Sequence, residues 1–208
     1  MTPLPSTFFD RSTVQVAQDL LGTHLVYDHP DAGRLVGRVV ETEAYTEDDP
    51  ACHASHLSED PETGTISGQG RGRDLFAAPG TAYVYLIYGV HWLLNVVTEP
   101  EGTAGAVLIR AVEPVSGVDI MRERRSVQRE VDLTNGPGKL TEAFGIEEDF
   151  HQSDLTAPPL YLADGRSVEE HEVACSSRIG ISKGVERPWR WYVAENPFVS
   201  RGAPSDQQ

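Results

Sequence analysis

The sequence predicts a single α+β domain: a curved, largely antiparallel, open-barrel-like sheet with flanking helices and one protruding hairpin. Three runs of β-forming residues, at 81–88, 92–98 and 105–112, are separated by short turns, as in an antiparallel meander. A length of 208 residues fits one domain with a sizeable core. We expect one domain over 1–208, of which about 8–200 is structured and 201–208 is a frayed tail.

The sequence also predicts helices before and after the strands of the meander. Apolar residues recur at helical spacing over 10–21, and Gly22 follows as a stop signal. Gly145 is placed to end a second helix that starts near Pro137. The remaining predicted elements are a helix at 117–129 and short strands near 159–163, 177–182 and 188–194.

A hairpin precedes the meander and carries two carboxylates. Strand 23–28 turns through Pro30 to Gly33 and continues as strand 34–45, after which 46–80 is polar and Gly-rich and is predicted mostly as loop. Side chains alternate between the two faces of a strand. One face of the second strand is therefore expected to carry Leu35, Val39, Glu41, Glu43 and Tyr45.

Composition limits the class of protein. No apolar run is long enough to cross a bilayer, and the N-terminus has no basic region followed by an apolar core, so neither a membrane partner nor secretion is expected. Cys52 and Cys175 lie far apart without a CxxC motif, which argues against a disulfide framework and a thiolate zinc site. We expect a cytoplasmic protein.

The net charge of −15 is the main objection to a nucleic-acid partner, because DNA-binding surfaces are normally basic. The charges are unevenly distributed, however. Acidic residues concentrate in 41–62 and 142–154, whereas arginines gather in 122–129 and 178–190. Net charge governs solubility and long-range steering, not one local surface. The acidity therefore does not exclude DNA.

An acid set among aromatic residues is the strongest chemical signal. Glu43 stands two residues before Tyr45, and Tyr83, Tyr85 and Tyr88 follow on one later strand. A carboxylate can activate water, and aromatic faces can hold a flat base that has left the DNA stack. A structural interpretation is also open, in which the tyrosines pack in the core and Glu43 is an ordinary ion-pair partner.

Three motifs give these residues a family context. VVETEAY at 39–45, PGTAYVYLIYGVHWLLNVV at 79–97 and GPGKL at 136–140 resemble the alkyladenine (3-methyladenine) DNA glycosylase family, over about Phe8 to Ser200. The resemblance implies a monomeric base-excision repair enzyme that flips an alkylated or deaminated purine out of duplex DNA. It would hydrolyse the N-glycosidic bond without a cofactor or metal.

The resemblance also implies roles for individual positions. Glu43 would deprotonate the attacking water, with Arg110 beside it. Tyr88, at the predicted hairpin tip, would fill the gap left by the flipped nucleotide. The residues implied to hold and read the base are Tyr45, His53, Tyr85 and Asn95.

GPGKL is predicted to open a helix, and helix N-terminal amides bind phosphate oxygens. Gly136, Gly138 and Lys139 are accordingly expected at the DNA backbone, although the motif can also form a plain turn. Lys139 and Lys183 are the only lysines. Because a bifunctional glycosylase needs an amine nucleophile, this scarcity favours a monofunctional enzyme that uses water.

Some positions depart from the family pattern. Arg71-Gly72 stands where relatives carry Arg-Asn, the segment before it is longer and acidic, and Val90 replaces a methionine beside Tyr88.

Two other functions stay open: a catalytically silent nucleic-acid-binding module on the same fold, and a metal-dependent hydrolase. The residues that could bind a metal are His53, His56, Asp48, Asp49 and Asp60.

Overall fold

A computed structural model describes residues 1–60 and 62–205. It confirms a single mixed α+β domain with a curled, antiparallel half-barrel sheet and few helices. No helix among these residues is long and apolar enough to span a bilayer. The helices are α1 (Ser6–Phe9), α2 (Thr13–Asp19), α3 (Val118–Arg125) and α4 (Pro137–Phe144), with 3₁₀ turns at Arg71–Phe76, Glu130–Asp132, Glu148–Phe150 and Glu170–Glu172.

The main sheet has eight antiparallel strands in the order β5-β6-β7-β2-β1-β8, with β10 and β9 attached through β2. Strand β2 is long enough to change neighbours: its first half pairs with β1 and its second half with β10. This change of partner accompanies the curl of the sheet. The strands are β1 (His24–His29), β2 (Gly33–Thr46), β3 (Ser58–Glu59), β4 (Ile66–Ser67), β5 (Ala82–Ile87), β6 (His91–Val97), β7 (Gly105–Ser116), β8 (Leu160–Ala163), β9 (Val173–Ser176) and β10 (Arg190–Val193).

The predicted hairpins and meander are confirmed, and a helix lies within 10–21 as predicted, but one predicted strand is absent. The helix expected over 10–21 is shorter than predicted and spans Thr13–Asp19, and the Thr13 amide donates to Glu99 Oε1 at 2.6 Å. Segment 177–182 is not a strand, and the strand in that region is β9. The 46–80 segment is mostly loop, as predicted, and also contains the small β3–β4 hairpin and the 3₁₀ turn at Arg71–Phe76.

One residue of the C-terminal tail, Ser205, is hydrogen bonded to the rest of the domain. The Ser205 amide donates to the Arg178 carbonyl at 2.9 Å, and the Ser205 hydroxyl accepts from the Ile181 amide at 3.2 Å. Ser205 therefore contacts the 178–181 segment, whereas the frayed tail stays a prediction for the residues between Ser200 and Ser205. Residues 206–208 of that predicted tail lie outside the described residues.

The prediction that Leu35 and Val39 share one face of β2 with Glu41, Glu43 and Tyr45 is wrong. Val39 and Ala44 both belong to the main core, together with Leu35. Because Val39 and Ala44 are separated by an odd number of positions, a regular strand would place them on opposite faces. Regular alternation therefore fails between Val39 and Ala44. The β2–β7 register is irregular on both sides of Glu41. Val40 lies with Ala111 in a separate cluster on the other side of the sheet. The irregularity turns Glu41, Glu43 and Tyr45 away from the main core.

Candidate active site

A cavity of about 850 Å³ opens beside the second half of β2. Its walls come from β5, β6 and β7, from the start of α4, and from the loops at 50–56 and 179–183. The size is within the range of about 300–1,000 Å³ that is usual for small-ligand sites. The predicted site residues that line it are Tyr45, His53, Tyr85, Tyr88, Asn95, Arg110, Gly136, Gly138 and Lys139.

Glu43 lies behind the cavity wall and is fully buried. Its Oε2 accepts a hydrogen bond of 2.8 Å from the Tyr45 hydroxyl and lies 3.2 Å from Arg110 Nη1. Its Oε1 accepts a hydrogen bond of 2.7 Å from the Ile179 amide. A buried carboxylate needs such partners, since an unpaired buried charge is strongly unfavourable. The predicted pairing of Glu43 with Arg110 is therefore present.

A second buried carboxylate, Glu41, holds the other side of Arg110. Its Oε1 lies 3.0 Å from Arg110 Nε and 2.6 Å from Arg190 Nε. The Ser200 amide donates to Oε2 at 2.7 Å. Burial raises the pKa of Glu41, but Arg110 and Arg190 outweigh that effect and lower it. Two carboxylates thus alternate with two guanidinium groups, and their charges cancel.

Tyr45 is held as a neutral phenol. Burial, followed by the adjacent Glu43 carboxylate, raises the pKa of Tyr45 well above its usual value. A neutral tyrosine has one O–H to donate, and Glu43 Oε2 is its acceptor. The direction of this hydrogen bond is therefore fixed, with Glu43 Oε2 as the acceptor.

His53 and two tyrosines form an aromatic group in the cavity. The His53 ring centroid lies 4.8 Å from that of Tyr85 in an edge-to-face arrangement, and His53 Nδ1 is 2.7 Å from the Tyr83 hydroxyl. Partial burial and Arg71 lower the pKa of His53, so its imidazole is neutral near pH 7. With Nδ1 occupied, Nε2 is the nitrogen left for a ligand.

Asn95 lies on β6 and is buried at the cavity wall. Its Nδ2 donates to the Tyr83 carbonyl at 3.1 Å, which fixes the amide. The Oδ1 atom has no hydrogen-bond donor among the described residues. Asn95 thus presents an oriented acceptor next to the aromatic group.

Tyr88 is at the tip of the β5–β6 hairpin, where the sequence places it, and 86% of the residue surface is exposed. It adopts a left-handed backbone conformation with φ of 53°, followed by Gly89 with φ of 69°. A tyrosine rarely adopts positive φ, so the turn is held by the hairpin register on either side. An exposed aromatic residue at this position projects away from the core.

The GPGKL segment forms the start of α4, as predicted. Gly138 packs so closely on the hairpin that an added Cβ would lie 2.9 Å from His91 Cβ. Lys139 Nζ donates to Asn135 Oδ1 at 2.7 Å, a neutral partner that leaves its charge uncompensated. Hairpin and helix start therefore meet at one rim of the cavity.

Sequence comparison decides the family. The sequence model of the family described as Methylpurine-DNA glycosylase (MPG) matches residues 7–197. The chain belongs to the methylpurine-DNA glycosylase family.

Similar proteins carry the matching name "Putative 3-methyladenine DNA glycosylase". One from Salinibacter ruber is 74% identical over 99% of this chain and 100% of its own length. Another, from Chlorobium luteolum, is 47% identical over the same shares. A third, from Prosthecochloris aestuarii, is 44% identical over 95% of this chain and 90% of its own. The family resemblance inferred from the three motifs is confirmed across nearly the whole sequence.

The alternative metal site is not assembled. Within 1–60 and 62–205, no three His, Cys, Asp or Glu residues are grouped to bind a metal ion. Asp49 is buried in an ion pair with Arg178, whereas His56 Nε2 lies 3.2 Å from the Gln69 carbonyl. His53 is engaged with Tyr83. These residues thus have separate partners in this glycosylase-family fold.

Several residues of the site were missed by sequence reasoning. Tyr83 was noted only as a strand residue, yet it binds both His53 and Asn95. Arg190, Ser200 and the Ile179 amide come from distant parts of the chain to hold the two carboxylates. In the sequence, Arg190 stood out only as one of a group of arginines, and no local pattern indicates that it pairs with Glu41.

Proposed function

We propose that the chain is a monofunctional DNA glycosylase that flips alkylated or deaminated purines out of duplex DNA and hydrolyses their N-glycosidic bond. The observation that carries this proposal is the Glu43 carboxylate, which is bound to Tyr45 and Arg110 directly behind an aromatic cavity. Family membership supports glycosylase chemistry, and the geometry supplies candidate residues for each step.

Glu43 is suited to activate a water molecule. A carboxylate has about four lone-pair positions, and three are used by Tyr45, Arg110 and the Ile179 amide. The fourth can accept a proton from a water enclosed between cavity and carboxylate. The oxygen of this water then bonds to the sugar C1′ atom while the bond between C1′ and the purine nitrogen breaks. The electron pair leaves with the purine, and Glu43 takes the water proton.

The aromatic group is suited to bind the flipped base. Tyr45, His53 and Tyr85 present ring surfaces to one cavity, and stacking of a base on an aromatic side chain contributes about 1–3 kcal/mol. Asn95 Oδ1 and His53 Nε2 supply polar contacts for the purine edges. An alkylated purine that carries positive charge is already a good leaving group, so the proposed step needs no cofactor.

The hairpin is suited to stabilise the flipped state. Flipping costs a few kcal/mol of unstacking, which an aromatic side chain inserted into the vacated space offsets. Tyr88 is exposed and lies at the rim of the cavity, so it can enter the duplex when the base enters the protein. We assign it the role of wedge.

Unpaired cations at the rim explain how an acidic protein can meet DNA. Lys139 and Lys183 both line the cavity, and neither forms an ion pair with a carboxylate among the described residues. The start of α4 adds amides beside Lys139 at Gly136 and Gly138. Phosphate contacts therefore concentrate where Tyr88 projects, despite the net charge of −15.

The proposal is tested with duplexes that carry one alkylated or deaminated purine each, incubated with the protein in EDTA. We expect release of the damaged base and an intact abasic strand, with no release from the undamaged duplex. A catalytically silent DNA-binding module would bind the duplex without releasing a base. Activity that disappears in EDTA and returns with a divalent metal would favour the hydrolase alternative.

A further inference from the structure

Aromatic rings and guanidinium groups alternate in a stack that runs outward from Tyr45. The Arg178 guanidinium carbon lies 4.6 Å from the Tyr45 ring centroid and 5.6 Å from that of Trp189. The Arg187 guanidinium carbon lies 4.4 Å from the Trp189 centroid. All three distances are within the about 6 Å reach of a cation–π interaction. The inner end of this stack is hydrogen bonded to Glu43 through the Tyr45 hydroxyl.

The Arg178 guanidinium is fixed in one orientation. It is fully buried and forms an ion pair with Asp49. It donates to the Ala44 carbonyl at 2.9 Å and to the Gly184 carbonyl at 3.2 Å. Gly184 has φ of +60°, and an added Cβ would lie 2.7 Å from Asp49 Oδ1. Only glycine permits this close approach, so the loop encloses the guanidinium.

Both oxygens of Glu43 depend on the placement of Arg178. Its side chain packs on Tyr45, which donates to Oε2 at 2.8 Å. Its neighbour in the chain, Ile179, donates its amide to Oε1 at 2.7 Å. A displacement of Arg178 would therefore move donors on both sides of the carboxylate.

We propose that Arg178 is a positioning residue that holds Glu43 in its reactive orientation through Tyr45 and the Ile179 amide. This role deepens the proposed glycosylase function and rests on it. Arg178 does not line the cavity, so it acts without touching the substrate. Reaction rates are sensitive to such placement, since an error of about 1 Å can cost about 10²-fold.

The first test is Arg178→Lys, which keeps the positive charge opposite Asp49 but loses the planar group that can stack between two rings. We expect the single-turnover excision rate per folded molecule to fall by about 10- to 100-fold, a larger factor than any accompanying rise in the Kd for the lesion duplex. The matched control is Arg38→Lys: Arg38 pairs with Glu113 outside the cavity and should excise at the wild-type rate.

A pair of variants at Trp189 keeps the test decisive if Arg178→Lys fails to fold. Trp189→Leu removes the outer ring from Arg178 and should slow excision, whereas Trp189→Phe retains a ring and should restore the rate. Wild-type rates per folded molecule in both Arg178→Lys and Trp189→Leu would overturn the positioning role. Glu43→Gln in the same assay separates the two proposals. If Glu43→Gln is inactive while these variants are not, only the role of Arg178 is wrong.

Discussion

Arg110 and Glu43 form a buried ion pair, with Arg110 Nη1 3.2 Å from Glu43 Oε2. The same guanidinium reaches Glu41 through Nε at 3.0 Å. Burial lowers the pKa of Arg110, but Glu43 and Glu41 outweigh that effect and raise it, so the group stays charged. Arg110 therefore places a positive charge directly beside the Glu43 carboxylate.

The first prediction concerns acid stability and Glu41. Its pKa is lowered in the folded protein, because Arg110 and Arg190 outweigh the raising effect of burial. A carboxylate with a depressed folded pKa adds stability above its unfolded pKa of about 4.3, and that stability is lost as pH falls through the folded pKa. Glu41→Gln should therefore reduce the dependence of the unfolding free energy on pH below about 4.3.

This is measured by urea unfolding over a series of acidic pH values. Glu113→Gln is the control, since Glu113 also pairs with an arginine but is partly exposed, and exposed pairs contribute little. A pH profile of Glu41→Gln that superimposes on the wild-type profile would show that the buried network does not set acid stability.

The β2 strand shows what the sequence could and could not predict. Its length, its hairpin partner and the presence of Glu43 on it follow from local pattern. The face shared with Val39 was predicted wrongly, because an irregularity at Glu41 depends on pairing with β7 and not on alternation within β2. The carboxylate geometry therefore follows from strand pairing.

The residues around Glu43 show the same limit. The family resemblance implied Tyr45 and Arg110, and both lie on strands that the sequence pattern predicts. Arg178 contacts Ala44 across 134 positions of sequence, and its segment was predicted as a strand. No local periodicity encodes such a contact. Residues that act by tertiary packing become visible only in the folded chain.

The second prediction concerns the salt dependence of DNA binding. If Lys139 and Lys183 contact phosphates, Lys139→Gln and Lys183→Gln should each reduce the slope of log K against log salt by about 0.9. Filter binding to a lesion duplex across a salt series measures this slope. Arg34→Gln is the control, because Arg34 already pairs with Asp28 at 2.5 Å and should leave the slope unchanged. Unchanged slopes in both lysine variants would show that neither Lys139 nor Lys183 contacts a DNA phosphate.

The third prediction concerns the absence of a Schiff-base intermediate. Both lysines line the cavity, so an amine nucleophile is available by position, but we assign both to phosphate. Borohydride added during excision should trap no covalent protein–DNA adduct, and the product strand should retain an intact abasic site. An adduct mapped by mass spectrometry to Lys139 or Lys183 would replace the monofunctional mechanism with a bifunctional one.

The fourth prediction concerns Tyr88. Because 86% of its surface is exposed, Tyr88→Ala should leave the Tm nearly unchanged. Excision from matched duplex should fall, since no ring then fills the vacated stack. The defect should be smaller when the lesion faces a mismatch, where unpairing costs less. Val90→Ala, at the same turn, controls for a general effect on the hairpin. A Tyr88→Ala protein that excises normally from matched duplex would require a different wedge.

The central claim is that Glu43 activates the water, and single-turnover excision by Glu43→Gln tests it most directly. The amide keeps the size of the side chain but cannot take a proton, so the rate should fall by about 10²- to 10⁴-fold while the Kd for the lesion duplex is retained. Glu123→Gln, an exposed position, should behave as wild type. Excision by Glu43→Gln within about tenfold of the wild-type rate would contradict the assignment, because removal of a general base costs more than that.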